Sequence, residues 1–171
     1  MNKNTIIISI ISILGTFLLL FGVYKIINQP VVTDFPQTRE LKLTDHVKWS
    51  PEKKNLLVEY SDFQCPACKN AHNILKAIEA SGSADFDITE KVTFVYRHFP
   101  LSQIHNKANV AAYAAEAAGI QNKFWEMTDL LFDNQQTWKE SKNPQQEDFV
   151  NYAKELKLDL EKFKKDIDSS E

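Results

Sequence analysis

The two cysteines of the sequence lie three residues apart, in the stretch Cys65-Pro66-Ala67-Cys68. They follow a short apolar run that predicts a buried strand, and from Pro66 onward apolar residues recur with helical period. Thiols at this spacing can close a small disulfide ring, and a thiolate at Cys65 would face the free amides and positive dipole end of the helix. We therefore predict a redox-active pair in which Cys65 reacts first and Cys68, one turn further, resolves the mixed disulfide.

Four neighbouring residues are candidates for tuning these thiols. Pro66 fixes φ where a missing N–H costs little, and the Pro66-Ala67 dipeptide influences the reduction potential. Glu59 lies six residues before the first cysteine, near the end of a strand that we expect to be central. A buried carboxylate there has a raised pKa and can accept or relay the proton of the second cysteine, whereas on a surface strand it points outward. His72, four residues after the second cysteine, either tunes the thiols or packs on the helix.

Two other interpretations of the cysteine pair stay open at this point. Cys65 and Cys68 can supply two ligands of a zinc ion, with His72 and either His98 or His105 completing a tetrahedron. A static disulfide is the second, although so small a ring constrains the unfolded chain little and stabilisation explains it poorly. Beyond this alternative the sequence assigns no metal site and requires no cofactor.

Composition excludes several classes of protein. The 171 residues include only two Cys, four Gly and six Pro, with 43% hydrophobic and 25% charged residues, which excludes collagen-like, low-complexity and disulfide-dense chains. Beyond residue 29 the chain has 18 basic and 23 acidic side chains, a net charge of −5. These values are typical of one mildly acidic soluble domain without a basic patch, so we expect no nucleic-acid partner.

An uncharged, mostly apolar segment covers residues 5–24, and as a helix it would be about 30 Å long, the thickness of a bilayer core. A cleavable signal peptide has a shorter apolar region and a small-residue cleavage site, which the flank of this segment lacks. We predict a membrane anchor with its flanks over residues 1–29 and an extended spacer over residues 30–40. The positive-inside rule barely decides the orientation of this anchor, because each flank has one lysine, Lys3 and Lys25.

Strand and helix patterns around the cysteines predict a βαβ unit. Residues 55–60 and 92–96 are runs typical of buried strands, and the helix between them is expected to end at Gly82. Strands joined in this way are parallel, with a right-handed crossover. A brief alternation over residues 41–43 suggests an edge strand, and residues 45–55 are expected to form a loop.

The rest of the sequence has helical patterns. Apolar residues recur at helical spacing over residues 106–118 and 122–132. Asn143 and the proline after it are expected to open a helix through about residue 156, and Asp159 to cap a last one.

A longer pattern extends from the cysteines along the chain. Its parts are Val58-Glu59-Tyr60-Ser61-Asp62-Phe63-Gln64-Cys65-Pro66-Ala67-Cys68, residues 94–101, residues 111–119, residues 123–132 and residues 152–156. In this combination the chain, from about Leu41 to its end, resembles the DsbA-like thioredoxin-fold thiol:disulfide oxidoreductases, including their membrane-anchored bacterial forms. The resemblance implies an α/β thioredoxin-like fold with an inserted helical domain, in which Cys65 attacks, Cys68 resolves and Glu59 is the buried acid beside them.

The resemblance also implies domains and partners. The thioredoxin-like βαβ part is expected over residues 41–100 and the helical insertion over residues 101–171. Its substrates are expected to be exported proteins with thiols or disulfides, and a redox partner in the membrane fits the same scheme. Because stable protein disulfides form outside the cytosol, we expect the domain outside, with Lys3 inside. Whether it oxidises, reduces or isomerises its substrates stays open.

One departure from the family pattern matters for function. The family has a cis-proline loop, a hairpin and a closing helix after the insertion, whereas here the last proline is Pro144 and no strand-like run follows. We therefore expect the C-terminal strands of the fold to be absent, as in a fragment, and we do not assign the cis-proline role to Pro100. A catalytically weak substrate-binding or docking module is the resulting alternative function.

Overall fold

A computed structural model describes the chain over residues 2–28, 40–50, 52, 54–81, 87–142 and 147–169. The chain divides into two compact units, Met1–Pro36 and Gln37–Glu171. The predicted spacer lies outside the described residues except for its last position. The predicted boundary between residues 100 and 101 stays a prediction.

The first unit contains helix α1, Lys3–Ile27. Its 25 residues have a mean hydropathy of 2.7 in the most apolar window. At about 1.5 Å per residue such a helix exceeds the roughly 30 Å of a bilayer core. The prediction of one N-terminal helix long and apolar enough to cross a membrane is confirmed, and its orientation stays a prediction.

The second unit is built on a three-stranded sheet of order β1-β3-β2. The strands are β1, His46–Trp49; β2, Leu56–Ser61; and β3, Thr93–His98. β2 and β3 are parallel, as the βαβ pattern predicts, and the helices α2, Pro66–Ala80, and α3, Ile88–Lys91, connect them. β1 pairs antiparallel with β3.

Two predictions about the sheet are wrong. The strand expected over residues 41–43 is absent there, and β1 instead lies in the segment predicted to be a loop. Its strand conformation depends on distant partners, because it pairs with β3 and His46 stacks on Phe124. The second error follows from the first: β1 adds to the other side of β3, so β3 is central and β2 is an edge strand within the described part of the sheet.

In the described part of the chain, five helices follow β3. They are α4, Ala108–Gly119; α5, Phe124–Asp133; α6, Gln135–Glu140; α7, Glu147–Glu155; and α8, Leu160–Asp168. The long helical patterns and the Asp159 cap are confirmed, the latter because its side chain accepts a hydrogen bond from the Lys162 amide. The short helices α3 and α6 were not predicted. The helix end expected at Gly82 and the helix start expected at Asn143 lie outside the described residues.

The core lies between the sheet and these helices. Eight of the twelve residues of α4 are buried, and these are seven alanines and one valine. Their small side chains let α5 and α8 approach closely. Large side chains fill the rest, including the fully buried Phe63, Trp138, Phe149 and Phe163. Burying each such side chain contributes about 1.5–3 kcal/mol. This packing fixes the sheet edge from which the cysteine turn leaves.

Candidate active site

The cysteines stand at the start of α2, immediately after the turn that leaves β2. Cys65 is the N-cap residue with extended backbone angles, and Pro66 occupies the first turn of the helix. Cys65 and Cys68 are both half-buried free thiols. Pro66 and Ala67 between them are exposed. The structure therefore places the pair at a helix N-terminus, as predicted, with the intervening dipeptide open to solvent.

Cys68 lies against the strand end that precedes the turn. The backbone amide of Asp62 donates a hydrogen bond to its sulfur at 3.5 Å. Burial raises the pKa of Cys68, and the nearby Cys65 thiol adds to this, while the hydrogen bond from the Asp62 amide and the nearby Ser61 hydroxyl act in the opposite direction. A thiol with a raised pKa needs a base before it can act as a nucleophile.

Glu59 lies in β2 on the inner side of the site. It is in register with Tyr96 of β3, and side chains at paired positions of parallel strands share a face. Burial raises the pKa of Glu59, and the nearby Ser61 hydroxyl together with the charges of His72 and Lys48 offsets this only partly. The sequence left open whether this carboxylate points inward or outward, and the structure has it inward.

Ser61 lies close to the acidic groups of the site. Its side chain is buried, and its nearby hydroxyl works to lower the pKa values of Glu59, Cys68 and Tyr96, although it makes no hydrogen bond within the described part of the chain. For Tyr96 burial is the larger effect, and the pKa stays well above the usual value. The sequence analysis missed Ser61, although its position two residues after Glu59 places both on one face of the strand.

His72 is packed against α5. Its Nε2 atom is 3.1 Å from Oδ1 of Asp129, and its ring stacks on Phe132 with centroids 4.6 Å apart. Burial favours a higher pKa for Asp129, but the close contact with His72 and the charges of Lys76 and His72 outweigh it and lower the pKa. Of the two roles considered for His72, packing is the one that its contacts describe, and any influence on the thiols is indirect, through Glu59.

The turn before the cysteines is held by a buried carboxylate. Asp62 is 3% exposed, and its two oxygens accept hydrogen bonds from the amides of Gln64 and Leu101 and from Nδ1 of His105, at 2.7–2.8 Å. The Gln64 side chain accepts a further hydrogen bond from the Lys107 amide at 2.7 Å. These contacts fix the turn to the loop that leads into α4.

A second brace comes from the helical part. The side-chain amide of Gln135, in α6, donates to the carbonyl oxygens of Phe63 at 2.7 Å and Cys65 at 2.9 Å. Gln135 is buried. No pattern in the sequence predicts this contact, because a single Gln that is 70 residues from Cys65 has no local signal.

The zinc interpretation of the cysteine pair is not supported. Each histidine proposed as a ligand instead faces a carboxylate: His72 faces Asp129, His98 faces Glu116 and His105 faces Asp62. Among the described residues, no cluster of three candidate metal ligands includes either cysteine.

One cluster of candidate ligands does occur, away from the cysteines. Nε2 of His46 and Nε2 of His98 lie 2.7 and 2.8 Å from the same oxygen, Oε1 of Glu116. Burial works to raise the pKa of Glu116, but the hydrogen bonds to the two histidines outweigh it and lower the pKa to about 2. The sequence analysis missed His46 and Glu116, which lie far from each other and from the cysteines in the chain.

A parallel strand pair, joined by a helix that starts at two cysteines and backed by further helices, defines a thioredoxin-like protein. Residues 42–171 match the family model described as Thioredoxin. The chain belongs to this thioredoxin family.

Solved structures agree with this fold. A thioredoxin-like oxidoreductase from Silicibacter pomeroyi is 24% identical with a TM-score of 0.56, over 74% of this chain and 65% of that one. The α-DsbA1 protein of Wolbachia pipientis is 20% identical with a TM-score of 0.58, over 74% and 61%. BdbD of Bacillus subtilis is 23% identical with a TM-score of 0.54, over 73% and 66%. At these identities the similarity establishes the fold.

The curated relatives that match the chain are named as antiporters, unlike the solved structures of the same fold. A protein named Na(+)/H(+) antiporter NhaA 1 from Salinispora arenicola is 39% identical over 123 residues, which are 72% of this chain and 17% of the relative. The protein of the same name from Mycolicibacterium vanbaalenii is 38% identical, with 72% and 18% covered. The chain thus spans less than a fifth of the length of these relatives.

Proposed function

We propose that the chain is a membrane-anchored thiol:disulfide oxidoreductase that exchanges a Cys65–Cys68 disulfide with the thiols of exported proteins. The observation that carries this proposal is the position of the pair: Cys65 caps α2, and Cys68 lies behind it against β2, near a half-buried carboxylate. Two solved proteins of the same fold support the reaction class: MdbA of Corynebacterium diphtheriae is described as a thiol-disulfide oxidoreductase, and α-DsbA2 of Wolbachia pipientis as a thiol-disulfide exchange protein.

The proposed reaction moves two electrons from the substrate to the pair. A substrate thiolate attacks the sulfur of Cys65, the Cys65–Cys68 bond breaks, and Cys68 leaves as a thiolate that takes up a proton. A second substrate thiolate then attacks the substrate sulfur of the mixed disulfide and releases Cys65 as a thiolate, which completes the substrate disulfide. In the opposite direction Cys68 must lose its proton before it attacks Cys65.

Glu59 is the proposed proton carrier for Cys68. Its raised pKa suits it to receive and return this proton, and the Ser61 hydroxyl is near both acidic groups. Cys65 instead caps the N-terminus of α2, and the proposal assigns it no proton carrier.

The proposed location is outside the cytosol, with α1 as the anchor. Substrates are then exported proteins, and a membrane protein that restores the disulfide is the expected redox partner. The side of the membrane follows from the chemistry, since stable disulfides are made outside the cytosol.

Trapping of the mixed disulfide tests the proposal. The full chain in detergent, with Cys68→Ser, should form a stable mixed disulfide with a disulfide-containing peptide, because the attacking thiol is present and the resolving thiol is not. Cys65→Ser should form little, and the double variant Cys65→Ser/Cys68→Ser is the matched control. Dithiol oxidation that continued unchanged in the double variant would refute a redox role and leave the docking module.

The reduction potential of the pair decides the direction. A disulfide donor should have a potential well above that of thioredoxin, which is about −270 mV. A measured value near −270 mV would contradict the donor form of the proposal and favour reduction.

A further inference from the structure

Three side chains from three different elements converge at one point on the side of the sheet that the helices cover. His46 comes from β1, His98 from β3 and Glu116 from α4. One ligand atom of each lies within 4.8 Å of the other two. Because β1 and β3 are paired and α4 is packed into the core, the three side chains sit on rigid parts of the fold.

The two imidazoles share one carboxylate oxygen. The Nε2–Oε1 distances are 2.7 Å from His46 and 2.8 Å from His98, both to Oε1 of Glu116. A purely hydrogen-bonded brace would distribute two donors more favourably over the two oxygens of a carboxylate, which has about four lone-pair sites. Convergence on one oxygen instead places two nitrogens and one oxygen around a common centre.

The ring positions are fixed from behind. The His46 ring stacks on Phe124 with centroids 3.3 Å apart and planes 6° from parallel. The His98 ring packs edge-on against the same Phe124, at 5.8 Å, and against Tyr96 at 5.3 Å. Nδ1 of His98 is buried without a hydrogen-bond partner in the described part of the chain, so Glu116 alone selects its tautomer. A metal ion that binds Nε2 of His98 therefore has to replace only the hydrogen bond to Glu116.

We propose that His46, His98 and Glu116 form a binding site for a divalent transition-metal ion, of which Zn²⁺ is the best match. Two imidazole nitrogens and one carboxylate oxygen are a ligand set that zinc uses, with the fourth position left for water. This proposal does not depend on the redox function of the cysteines.

The site needs only a small adjustment to receive the ion. At zinc–ligand distances of about 2.0–2.2 Å, the ligand atoms of a tetrahedral site are separated by about 3.3–3.5 Å. The two nitrogen–oxygen distances of 2.7 and 2.8 Å must therefore lengthen by roughly 0.6 Å. The Glu116 side chain is 41% exposed and can move by this amount.

The fourth ligand and the entry path also have space. A cavity of about 270 Å³ adjoins the three side chains and is further lined by Tyr60 and Lys42. Water can fill this cavity and complete the coordination. When the ion binds through Nε2, each neutral imidazole loses the proton that faces Glu116 and takes one up at Nδ1, so its charge is unchanged, and the carboxylate turns from hydrogen-bond acceptor to ligand.

Zinc binding to the full chain in detergent tests the proposal. The background is Cys65→Ser/Cys68→Ser, because reduced cysteines bind zinc by themselves. Equilibrium dialysis with Zn²⁺ alone should give one ion per chain. Substitution of His46 or His98 by Gln should weaken binding at least tenfold, while His72→Gln, which changes a histidine outside the cluster, should leave it unchanged.

Two variants of the carboxylate separate a metal site from a hydrogen-bonded brace. Glu116→Gln should lower zinc affinity at least tenfold while it keeps an acceptor for the imidazoles. Glu116→His should retain one zinc per chain through three imidazoles, and zinc should raise its thermal unfolding midpoint. The assignment is wrong if the background chain binds no zinc, or if it binds zinc equally well after His46, His98 and Glu116 are each replaced by Gln. Circular dichroism of each zinc-free variant shows whether it folds. If a variant does not fold, zinc binding by Glu116→His is the measurement that tests the assignment.

Discussion

Glu59 and Cys68 are two acids whose charged forms the fold disfavours. Burial raises the pKa of each, and the Ser61 hydroxyl is near both. Because its pKa is raised, Glu59 is the proposed acceptor of the proton that Cys68 loses. The pair therefore resembles a base and its nucleophile more than two independent side chains.

Glu59→Gln should slow the resolution of the mixed disulfide. The base for Cys68 is lost, and we expect a decrease of roughly 10- to 100-fold, at the low end of general-base effects. In the unchanged protein the rate should fall at pH values below the raised pKa of Glu59, and this step should vanish in the variant. Stopped-flow measurements across pH, with Cys65 trapping as the control for the first step, test this. An identical pH profile in both proteins would contradict it.

The same substitution should stabilise the reduced protein. An acid whose pKa is raised on folding destabilises the folded state once pH exceeds its unfolded value, because the unfolded chain releases the proton more easily. At neutral pH, Glu59→Gln should therefore increase the free energy of unfolding by about 0.5–1 kcal/mol. Below the unfolded pKa of Glu59 the difference should disappear. Urea unfolding at neutral and acidic pH measures both values.

Gln135 is a positioning residue, because it holds the backbone of the cysteine turn through two hydrogen bonds. Gln135→Ala leaves the carbonyls of Phe63 and Cys65 without their donor, which costs about 1–3 kcal/mol of stability. We also expect slower attack at Cys65, because the turn loses its brace. Gln136→Ala, at an exposed position of the same helix, is the matched control and should change stability by less than about 0.5 kcal/mol. Equal effects of the two substitutions would rule out the brace.

At the scale of elements, patterns with local causes were predictable. β2 follows from an apolar run, α2 from helical periodicity after Pro66, and the start of α8 from Asp159. β1 and α6 were missed, because four and six residues carry little periodicity. They exist through distant contacts, such as the pairing of β1 with β3.

The candidate site divides along the same line. Cys65, Cys68 and Glu59 were predictable from spacing and resemblance, because they lie on one strand–turn–helix segment. Gln135 and Glu116 contact residues tens of positions away, which only the tertiary fold brings together.

β1 is tied to the sheet by a buried ion pair just before it. Arg97 of β3 donates from Nε and Nη2 to the two carboxylate oxygens of Asp45, at 2.7 and 2.8 Å. The two side chains are 7% and 3% exposed. The hydrogen bond to Arg97 lowers the pKa of Asp45, against an opposing effect of burial.

Asp45→Asn should therefore destabilise the protein in a pH-dependent way. A carboxylate with a lowered pKa stabilises the folded state above its unfolded pKa, about 3.9, and the stabilisation is lost as pH falls through the folded value. We expect a loss of about 3 kcal/mol at neutral pH, which shrinks in acid. Glu52→Gln, in an exposed pair with Lys54, should have almost no effect. Chemical unfolding at several pH values tests this, and a loss that is constant with pH would contradict it.

At the scale of the whole molecule, the orientation in the membrane can be measured at the cysteines. If the thioredoxin-like unit lies outside, a membrane-impermeant maleimide should label reduced Cys65 in intact cells. A cysteine introduced by Asn2→Cys into the Cys65→Ser/Cys68→Ser chain should react only after permeabilisation. The opposite pattern would place the unit in the cytosol and exclude exported substrates.

The contacts that shape the cysteine turn also set its timing during synthesis. Asp62 needs Leu101 and His105, and the carbonyl of Cys65 needs Gln135, so the turn is complete only when 70 further residues have emerged after Cys65. At about 5–20 residues per second this delay is roughly 4–14 s. The growing chain thus carries its reactive sulfurs for seconds before it has the structure that directs their chemistry.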